Sequence, residues 1–336
     1  MKKCCFVIPY FGTLPDNFPI FLKSCSWNPS FDWILFTDDC TAYDYPNNVK
    51  VVRMTLSELK DLADKKFGFH VALEKAYKLC DFKPAYGFIF EKWLKDYKFW
   101  GHCDIDTIMG DLSHFLTEEL LEKYDKLFCM GHFVVYRNEY DNNRIFMNCL
   151  NGTELYKRVF TTPDICWFDE EWNGRKNINR LFLDAGKRVL QEDWSANFNV
   201  RTLRFNREIY RFDPRTEEPT HICEGIKDAL YFWDHGGAYR IYIKGNSLHT
   251  DEFMYMHFQW RNMRIVAPAL SSDCFKVVPN AFIAMKKKPT SIYEFRRIRK
   301  WSICFYKINL WYKEHLSRRF NKLSDLCSNI FNKLVN

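Results

Sequence analysis

The sequence predicts an α/β fold with a mostly parallel central sheet flanked by helices. Short apolar segments typical of buried strands alternate with segments of helical spacing along the first third of the chain. Polar residues or proline follow several of these apolar segments directly, as is typical of the carboxyl ends of strands in parallel sheets that bind ligands. The chain is 47% hydrophobic and has only 13 Gly and 12 Pro, which favours a sizeable core over disorder.

The first elements alternate regularly between the two types. Residues 3–12 (KCCFVIPYFG) predict a buried strand that runs into a turn at Pro9. The predicted elements after the first strand are a helix at 18–28, a strand at 31–39, a strand at 49–54 and a helix at 55–68. The helix at 55–68 has Thr55 or Ser57 as its cap and Gly68 just past its end.

The remaining elements are less regular, with no internal repeat and no clear linker. They are a strand ending at Cys103, a helix at 112–124, an interrupted strand at 126–138, a helix within 164–186, strands within 207–219 and 229–245, the second with a Gly-Gly bend, and an aromatic strand at 252–263. We therefore expect one domain over residues 1–283, followed by a separate tail of residues 284–336.

Positive charge is concentrated in this tail. Residues 284–336 contain 13 Lys+Arg and 3 Asp+Glu, a net charge of +10, so the rest of the chain has a net charge of −3. From Ile298 onward, apolar residues recur every three or four positions with basic residues between them, which predicts a basic amphipathic helix. Such a helix suits an anionic membrane surface. Packing of the helix on the domain is the alternative, and nucleic acid is disfavoured because no recognised binding motif accompanies the charge.

The cysteines and the N-terminus indicate the compartment. The 13 cysteines are odd in number, include no CxxC pair and mostly lie in apolar segments, so we expect small buried hydrophobes in a reducing environment. The apolar N-terminal run is broken by Pro9, and no stretch of 18 apolar residues follows anywhere. We expect a cytoplasmic protein that is peripheral on the cytoplasmic face of the membrane.

Two aspartates one residue apart follow the apolar strand that ends at Cys103. Asp104 and Asp106 should point to the same side, with Ile105 directed into the core. Converging carboxylates repel each other unless a hard dication such as Mg²⁺ or Mn²⁺ lies between them. The alternative is a loop in which Asp104 caps a helix and Asp106 is solvated.

Two linked motifs extend this pattern, Cys80–Gly87 (CDFKPAYG) and, about a dozen residues later, Phe99–Leu112 (FWGHCDIDTIMGDL). The chain resembles the GT-A class of glycosyltransferases and, more closely, a bacterial family of glycosyltransferases that assemble capsule or O-antigen polysaccharides. The resemblance covers roughly residues 1–270. It implies a GT-A, Rossmann-like fold in which Asp104 and Asp106 bind Mn²⁺ or Mg²⁺ on the diphosphate of a nucleotide sugar.

The same resemblance assigns further binding residues. It implies that Pro9 and Tyr10 border the nucleotide base, that Asp38 meets the base or ribose, and that Lys83 lies against the nucleotide. It also implies that His257, in the aromatic strand, is an additional metal ligand. The alternatives are a solvated lysine at a helix start for Lys83 and a satisfied core residue for His257.

The segment FDEEW offers catalytic carboxylates. Inverting glycosyl transfer needs a base that deprotonates the acceptor hydroxyl, and of Asp169, Glu170 and Glu171 we favour Asp169 or Glu170. Carboxylates at a predicted helix start are also stabilised by the helix dipole alone, which is the alternative. Retaining chemistry needs no such base, so the stereochemical outcome stays open. His132 is either a sugar contact or a buried polar residue.

These observations predict a metal-dependent glycosyltransferase that moves a sugar from a nucleotide sugar, a UDP-sugar, to a growing, lipid-linked surface glycan. The expected partners are therefore the nucleotide-sugar donor, the glycan acceptor and an anionic membrane. One alternative is a metal-dependent nucleotidyltransferase, which would exchange pyrophosphate and release no UDP. The other is a non-catalytic, membrane-associated assembly factor, which would bind liposomes but no nucleotide.

Overall fold

The computed structural model describes residues 4–171, 176–199, 205–213, 218–226, 228–259 and 261–299. In these ranges the strands are β1 (Cys4–Pro9), β2 (Phe31–Thr37), β3 (Val49–Arg53), β4 (Phe99–Cys103), β5 (Thr107–Met109), β6 (Lys126–Leu127), β7 (Phe133–Arg137), β8 (Val189–Leu190), β9 (Ser195–Phe198), β10 (Arg207–Asp213), β11 (Glu218–Glu224), β12 (Leu230–Asp234), β13 (Gly237–Lys244), β14 (Ser247–Phe253), β15 (Tyr255–His257), β16 (Arg264–Val266), β17 (Cys274–Val278) and β18 (Ala281–Ala284).

The helices alternate with strands in the first half of the chain, which gives a mixed α/β fold. In the same ranges they are α1 (Phe18–Ser26), α2 (Leu56–Phe67), α3 (Leu79–Phe82), α4 (Tyr86–Ile89), α5 (Glu91–Leu94), α6 (Leu112–Phe115), α7 (Glu118–Lys123), α8 (Leu155–Thr161), α9 (Ile178–Asp184) and α10 (Ile292–Arg299). Short 3-10 turns cover Ala76–Lys78, Lys83–Ala85, Asn142–Met147 and Ala269–Ser271.

The central sheet has, among the described strands, the order β3-β2-β1-β4-β7-β6-β8. Strands β3, β2, β1 and β4 pair in parallel, and β6 pairs in parallel with β8. Strand β7 is antiparallel to both of its neighbours, β4 and β6. All strands of this sheet except β7 therefore run in one direction, as the sequence predicts.

Helices cover both faces of the central sheet. Along β1, Cys5 and Val7 pack into a cluster that includes residues of α2 and α9, whereas Phe6 and Ile8 pack against α1 on the other face. Alternate side chains of a strand point to opposite faces. Because both faces are covered, β1 and β2 are apolar along most of their length.

Helix α2 confirms its predicted boundaries. The Thr55 hydroxyl accepts a hydrogen bond from the Glu58 amide at 3.2 Å, and the Glu58 carboxylate accepts one from the Thr55 amide at 2.7 Å. This is a capping box, so Thr55 rather than Ser57 is the cap. Gly68 follows the helix with φ +75°, a left-handed conformation that glycine adopts without steric cost.

The expectation of a single sheet is incomplete, because the described residues form two more. One has the order β11-β10-β9-β15-β5 and the other β14-β13-β12-β17-β18-β16. Most neighbouring strands in these two sheets are antiparallel, and several such pairs are hairpins. Strands β12 and β13, for example, are joined by a turn at His235 and Gly236, and both of these residues have positive φ. The Gly-Gly bend predicted within 229–245 is this hairpin.

Two predicted elements are each broken in the structure. Residues 112–124 form α6 and α7 instead of one helix, because Leu116 leaves helical geometry and Thr117 starts a new cap by accepting a hydrogen bond from the Leu120 amide. Residues 252–263 are not one strand, since Met254 separates β14 from β15 and the two belong to different sheets.

The start of the predicted tail packs on the domain. Phe295 of α10 is 1% exposed and lies in a cluster with Leu230, Phe232 and Ile241 of the third sheet. Within the described ranges no helix has the length and apolar character to cross a bilayer. The predicted amphipathic helix begins at Ile298, and its residues after 299 lie outside the described residues.

Candidate functional site

The carboxyl ends of the neighbouring parallel strands β1 and β4 border a cavity of about 60 Å³. Pro9 and Tyr10 line it from the end of β1, Asp104 from the end of β4, and Lys83 from the helical segment between these strands. The structure thus brings Pro9, Tyr10 and Lys83, three of the four residues that the resemblance places at the nucleotide, together with the predicted cofactor ligand Asp104. Their contact with a nucleotide stays a prediction.

The turn after β4 places the two aspartates. Ile105 between them is 6% exposed and packs in the core, which confirms its predicted direction. The Asp104 amide donates to the His132 carbonyl at 3.1 Å, and the Phe258 amide donates to the Asp106 carbonyl at 3.0 Å. Backbone hydrogen bonds to two different segments of the chain therefore fix the aspartate pair.

His257 lies beside this pair because β15 pairs with β5 and places it opposite Thr107. Its Nε2 is 3.4 Å from Asp106 Oδ1 and 4.0 Å from Asp104 Oδ2. One ligand atom from each of the three residues lies within 4.8 Å of the others. The structure thus places these three predicted metal ligands in one cluster, named here the acidic cluster (Asp104, Asp106 and His257).

A neighbouring amide orients the His257 ring. Its Nδ1 is 2.9 Å from Asn197 Oδ1, and Gln259 Nε2 donates to that same oxygen at 2.8 Å. Because the amide oxygen can only accept, Nδ1 has the proton. Nε2 therefore faces the carboxylates, as a proton donor when the ring is charged and with a lone pair when a cation replaces that proton. Asn197 was not predictable from the sequence, because it shares no motif with His257 and comes next to it through the pairing of β9 with β15.

The acidic cluster fits a divalent cation. Two ligand atoms about 2.1 Å from one ion lie roughly 3–4 Å apart, which matches the separations of His257 from the two aspartates. Burial lowers the pKa of His257, but the carboxylates of Asp106 and Asp104 outweigh this effect and raise it. The same negative charge favours a cation. Carboxylate oxygens are ligands that suit both Mg²⁺ and Mn²⁺.

Lys83 links the acidic cluster to a second group of carboxylates. Its ammonium donates to Asp104 Oδ1 at 2.7 Å and to the Gly131 carbonyl at 2.9 Å, and it lies 3.4 Å from Asp169 Oδ2. Burial lowers the pKa of Lys83, but Asp104 and Asp169 outweigh it and hold the pKa well above its usual value. Lys83 is therefore a paired cation inside the site, and the solvated alternative is wrong.

Asp169 and Glu170 lie in a turn beside Gly131, named here the carboxylate turn. The Gly131 amide donates to Glu170 Oε2 at 3.3 Å, and a Cβ at Gly131 would lie only 2.2 Å from Asp169 Oδ2. Helix α9 begins at Ile178 with Asn177 as its cap, so the expectation that these carboxylates lie at a helix start is wrong. The helix dipole therefore does not explain them. Gly131 was missed because nothing in the sequence near it indicates this close approach.

The two carboxylates favour protonation. Burial raises the pKa of Asp169 to about 8; Lys83 opposes the shift and Glu170 adds to it. Burial also raises the pKa of Glu170, again opposed by Lys83. A carboxyl group whose pKa lies near neutrality can accept and return a proton at physiological pH, as a general base requires.

Two other acidic candidates have structural partners. Glu171 is 1% exposed and pairs with Arg180 at 2.8 Å, so it is a buried ion pair outside the Lys83 contacts. Asp38 is exposed and does not line the cavity; its Oδ1 accepts a hydrogen bond from the Gly12 amide at 2.8 Å. Asp38 thus fixes the loop after β1, and a direct role at the nucleotide stays a prediction.

His132 is buried beside the acidic cluster. Its Nδ1 is 2.7 Å from the Tyr255 hydroxyl, and its ring centroid is 4.4 Å from that of His257. Burial, His257 and Lys83 hold the pKa of His132 well below its usual value, so the ring is neutral. Its exposure of only 4% supports the buried polar alternative, and the ring packs against that of His257.

Comparison with known proteins gives a family match and distant likenesses to solved structures. The chain is similar to galactosyltransferase LgtC in complex with donor and acceptor sugar analogues, with a TM-score of 0.32, 9% identity, and coverage of 58% of this chain and 75% of that one. It is also similar to an active-site mutant of LgtC, with a TM-score of 0.31, 10% identity, and coverage of 58% of this chain and 74% of that one. Such TM-scores do not establish a shared fold.

No curated protein matches this chain. The model of a family of unknown function, DUF6625, matches residues 6–286, most of the sequence, and the chain therefore belongs to that family.

Proposed function

We propose that this protein is a metal-dependent glycosyltransferase of GT-A type that transfers a sugar from a UDP-sugar to a growing, lipid-linked glycan. The main support is the position of the acidic cluster at the carboxyl end of β4, next to the cavity lined by Pro9 and Tyr10. In open parallel sheets, ligands bind at this edge. A cation site beside a small cavity with a lysine suits a nucleotide diphosphate.

Each part of the site has a separate task in this proposal. Asp104, Asp106 and His257 bind the cation, and Lys83 adds a positive charge from the side of Asp169. A bound Mn²⁺ or Mg²⁺ would supply the Lewis acid that offsets the charge of the leaving diphosphate. Pro9 and Tyr10, at the end of β1, border the nucleotide base.

Asp169 or Glu170 acts as the base toward the acceptor hydroxyl. Both lie within one turn, and Lys83 connects Asp169 directly to Asp104 of the acidic cluster. Lys83 therefore places a carboxylate that can accept a proton close to the cation that would hold the donor. The basic tail would bring the protein to the anionic membrane that contains a lipid-linked acceptor.

The experiment is calorimetric titration of the full chain with UDP in the presence of Mn²⁺. Wild type should bind UDP with Mn²⁺ and lose the affinity in EDTA. Asp106→Asn should weaken binding by about 100-fold, since a cation loses a charged ligand. Asp111→Asn is the matched control from the same motif, because Asp111 caps α6 by accepting hydrogen bonds from the Ser113 and His114 amides. Equal affinity in wild type and Asp106→Asn would refute the metal site.

Product analysis separates this function from the two alternatives. Incubation with a panel of UDP-sugars and Mn²⁺ should release UDP, whereas a nucleotidyltransferase would exchange pyrophosphate with a nucleoside triphosphate. A non-catalytic assembly factor would sediment with anionic vesicles and show no heat with UDP. Pyrophosphate exchange without UDP release would overturn the proposed function.

A further inference from the structure

Trp167 is an exposed aromatic residue in an unfavourable backbone conformation. The residue is 42% exposed, and its φ is +51°. Bulky L-residues rarely adopt this left-handed conformation, which persists only where the surroundings enforce it. Trp167 lies two residues before Asp169, so the segment that leads into the carboxylate turn exposes a large indole at a cost in backbone free energy.

A buried carboxylate enforces this conformation. Asp81 accepts hydrogen bonds from the amides on both sides of Trp167, Cys166 at 2.9 Å and Phe168 at 3.0 Å. Asp81 is 0% exposed and is neutralised by Lys78, whose ammonium lies 2.7 Å away and also donates to the Asp164 carbonyl at 2.5 Å. Burying a charge pair is costly. The fold thus uses a buried ion pair to hold the segment that exposes Trp167.

Tyr77 is a second exposed aromatic residue beside the same carboxylates. It is 56% exposed and lies in the turn that contains Lys78. The segment that contains Tyr77 contacts the segment of Trp167, because the neighbouring Lys78 donates to the Asp164 carbonyl and Lys83 lies 3.4 Å from Asp169 Oδ2. Trp167 and Tyr77 therefore lie on two segments that meet at the carboxylate turn.

We propose that Trp167 and Tyr77 form a stacking platform for a sugar ring of the acceptor, beside Asp169 and Glu170. Sugar rings present C–H groups on one face, which pack on aromatic rings, and hydroxyl groups at the edge, which donate to carboxylates. Exposed aromatic residues next to buried carboxylates match both needs. The inference rests on the proposed function in calling the sugar an acceptor, while the platform itself requires only that a hexose binds there.

Glycine at position 167 separates binding from folding. Trp167→Gly removes the ring but relieves the backbone strain, since glycine adopts positive φ freely, and this relief offsets part of the burial lost with the indole. Urea denaturation checks that the variant stays folded. Trp167→Phe keeps an aromatic ring. Tyr140→Ala is the control for an exposed aromatic, because Tyr140 is 71% exposed and follows β7, whose antiparallel direction takes it to the opposite edge of the central sheet.

The probes are methyl glucoside, methyl galactoside and methyl mannoside, observed by saturation-transfer NMR on the full chain with Mn²⁺ and UDP. Wild type should saturate the ring C–H protons of at least one hexoside. Trp167→Gly should weaken that binding by about tenfold or more, and Trp167→Phe by only a few-fold. Tyr140→Ala should match wild type, and every variant should keep its Mn²⁺-UDP affinity.

Two results would overturn the platform. One is equal hexoside affinity in wild type and Trp167→Gly, and the other is no transfer to any of the three hexosides from a wild type that binds Mn²⁺-UDP. Hexoside binding that depends on Trp167 in a protein without Mn²⁺-UDP affinity would support the platform and refute the proposed sugar transfer. The failures of the two proposals are thus distinguishable.

Discussion

Replacing Gly131 with alanine would place a methyl group where the Asp169 carboxylate now lies. The added Cβ would be 2.2 Å from Asp169 Oδ2 and 3.2 Å from Glu170 Oε2, while ordinary contacts begin at 3.4 Å. The Asp169 carboxylate therefore has to move by about 1 Å. Asp169 is only 3% exposed, so the surrounding atoms leave little room for that movement.

The electrostatic consequence follows from the contact with Lys83. Lengthening the 3.4 Å separation to about 4.5 Å weakens the attraction by about 1 kcal/mol at an effective dielectric constant of ~20. That loss would raise the pKa of Asp169, already about 8, by roughly one further unit. Overpacking adds a stability cost of about 1–3 kcal/mol. Transfer that uses Asp169 as base should slow by about tenfold.

Three measurements on Gly131→Ala test this reasoning. Urea denaturation gives the stability, and UDP release from a UDP-sugar gives the turnover. Calorimetry should show Mn²⁺-UDP affinity within about threefold of wild type, because the three atoms nearest the added methyl group belong to Asp169 and Glu170 and none to the acidic cluster. Gly225→Ala is the matched control, since the three atoms nearest its added Cβ all belong to the flexible Asn206 side chain, at 3.0 Å or more. Unchanged turnover and stability in Gly131→Ala would refute the confinement of Asp169.

Three further variants test other parts of the molecule. The folded-state pKa of Asp169 is about 8, above its ordinary value of 3.8, so between these pH values the folded protein binds a proton that the unfolded chain does not. The free energy of unfolding should therefore fall as pH rises from about 5 to 8, and Asp169→Asn should lose this dependence. A dependence equal to that of wild type in urea denaturation would contradict the prediction. His257→Ala should weaken Mn²⁺ binding by about tenfold or more in calorimetry, and unchanged affinity would make it a core residue. Removing residues 300–336 should abolish sedimentation with phosphatidylserine vesicles yet preserve the melting temperature, because buried Phe295 precedes the cut; continued sedimentation would contradict the membrane role of the tail.

The central sheet was predictable because its strands are buried on both faces. Continuous apolar segments such as β2, with every residue buried, are distinctive in sequence, and the turn residues between them mark the boundaries. The cap of α2 was predictable for a similar reason, since the capping box depends on residues three positions apart. Local patterns of this kind need no knowledge of the tertiary fold.

The two further sheets depend on pairings that no local pattern specifies. Strand β5 has only three residues and belongs to a different sheet from β4, where it joins the distant strand β15. Residue 254 separates two strands of different sheets within one aromatic segment, where alternation of side chains gives no boundary. Long-range register decides these elements, so the sequence pattern alone predicted strands but not sheets.

The candidate site shows the same division. Asp104 and Asp106 were found because carboxylates after an apolar strand need a compensating charge. Asn197 and Gly131 were missed because an amide partner and a missing Cβ become meaningful only when the contacts are known. Asp169 was selected as part of a helix start, although the helix begins elsewhere, and its contact with Lys83 is what brings it to the site.

The CDFKPAYG motif explains why the two carboxylate groups meet. Asp81 binds the amides around Trp167, and two residues later Lys83 contacts both Asp104 and Asp169, so one short helical segment positions the carboxylate turn and neutralises it. Without that ammonium, Asp169 would lose the cation that lies within 4 Å of it in the described part of the chain, and burial would favour its neutral form further. The charge on Lys83 therefore determines how readily Asp169 ionises next to the acidic cluster, which makes the motif part of the chemistry as well as of the fold.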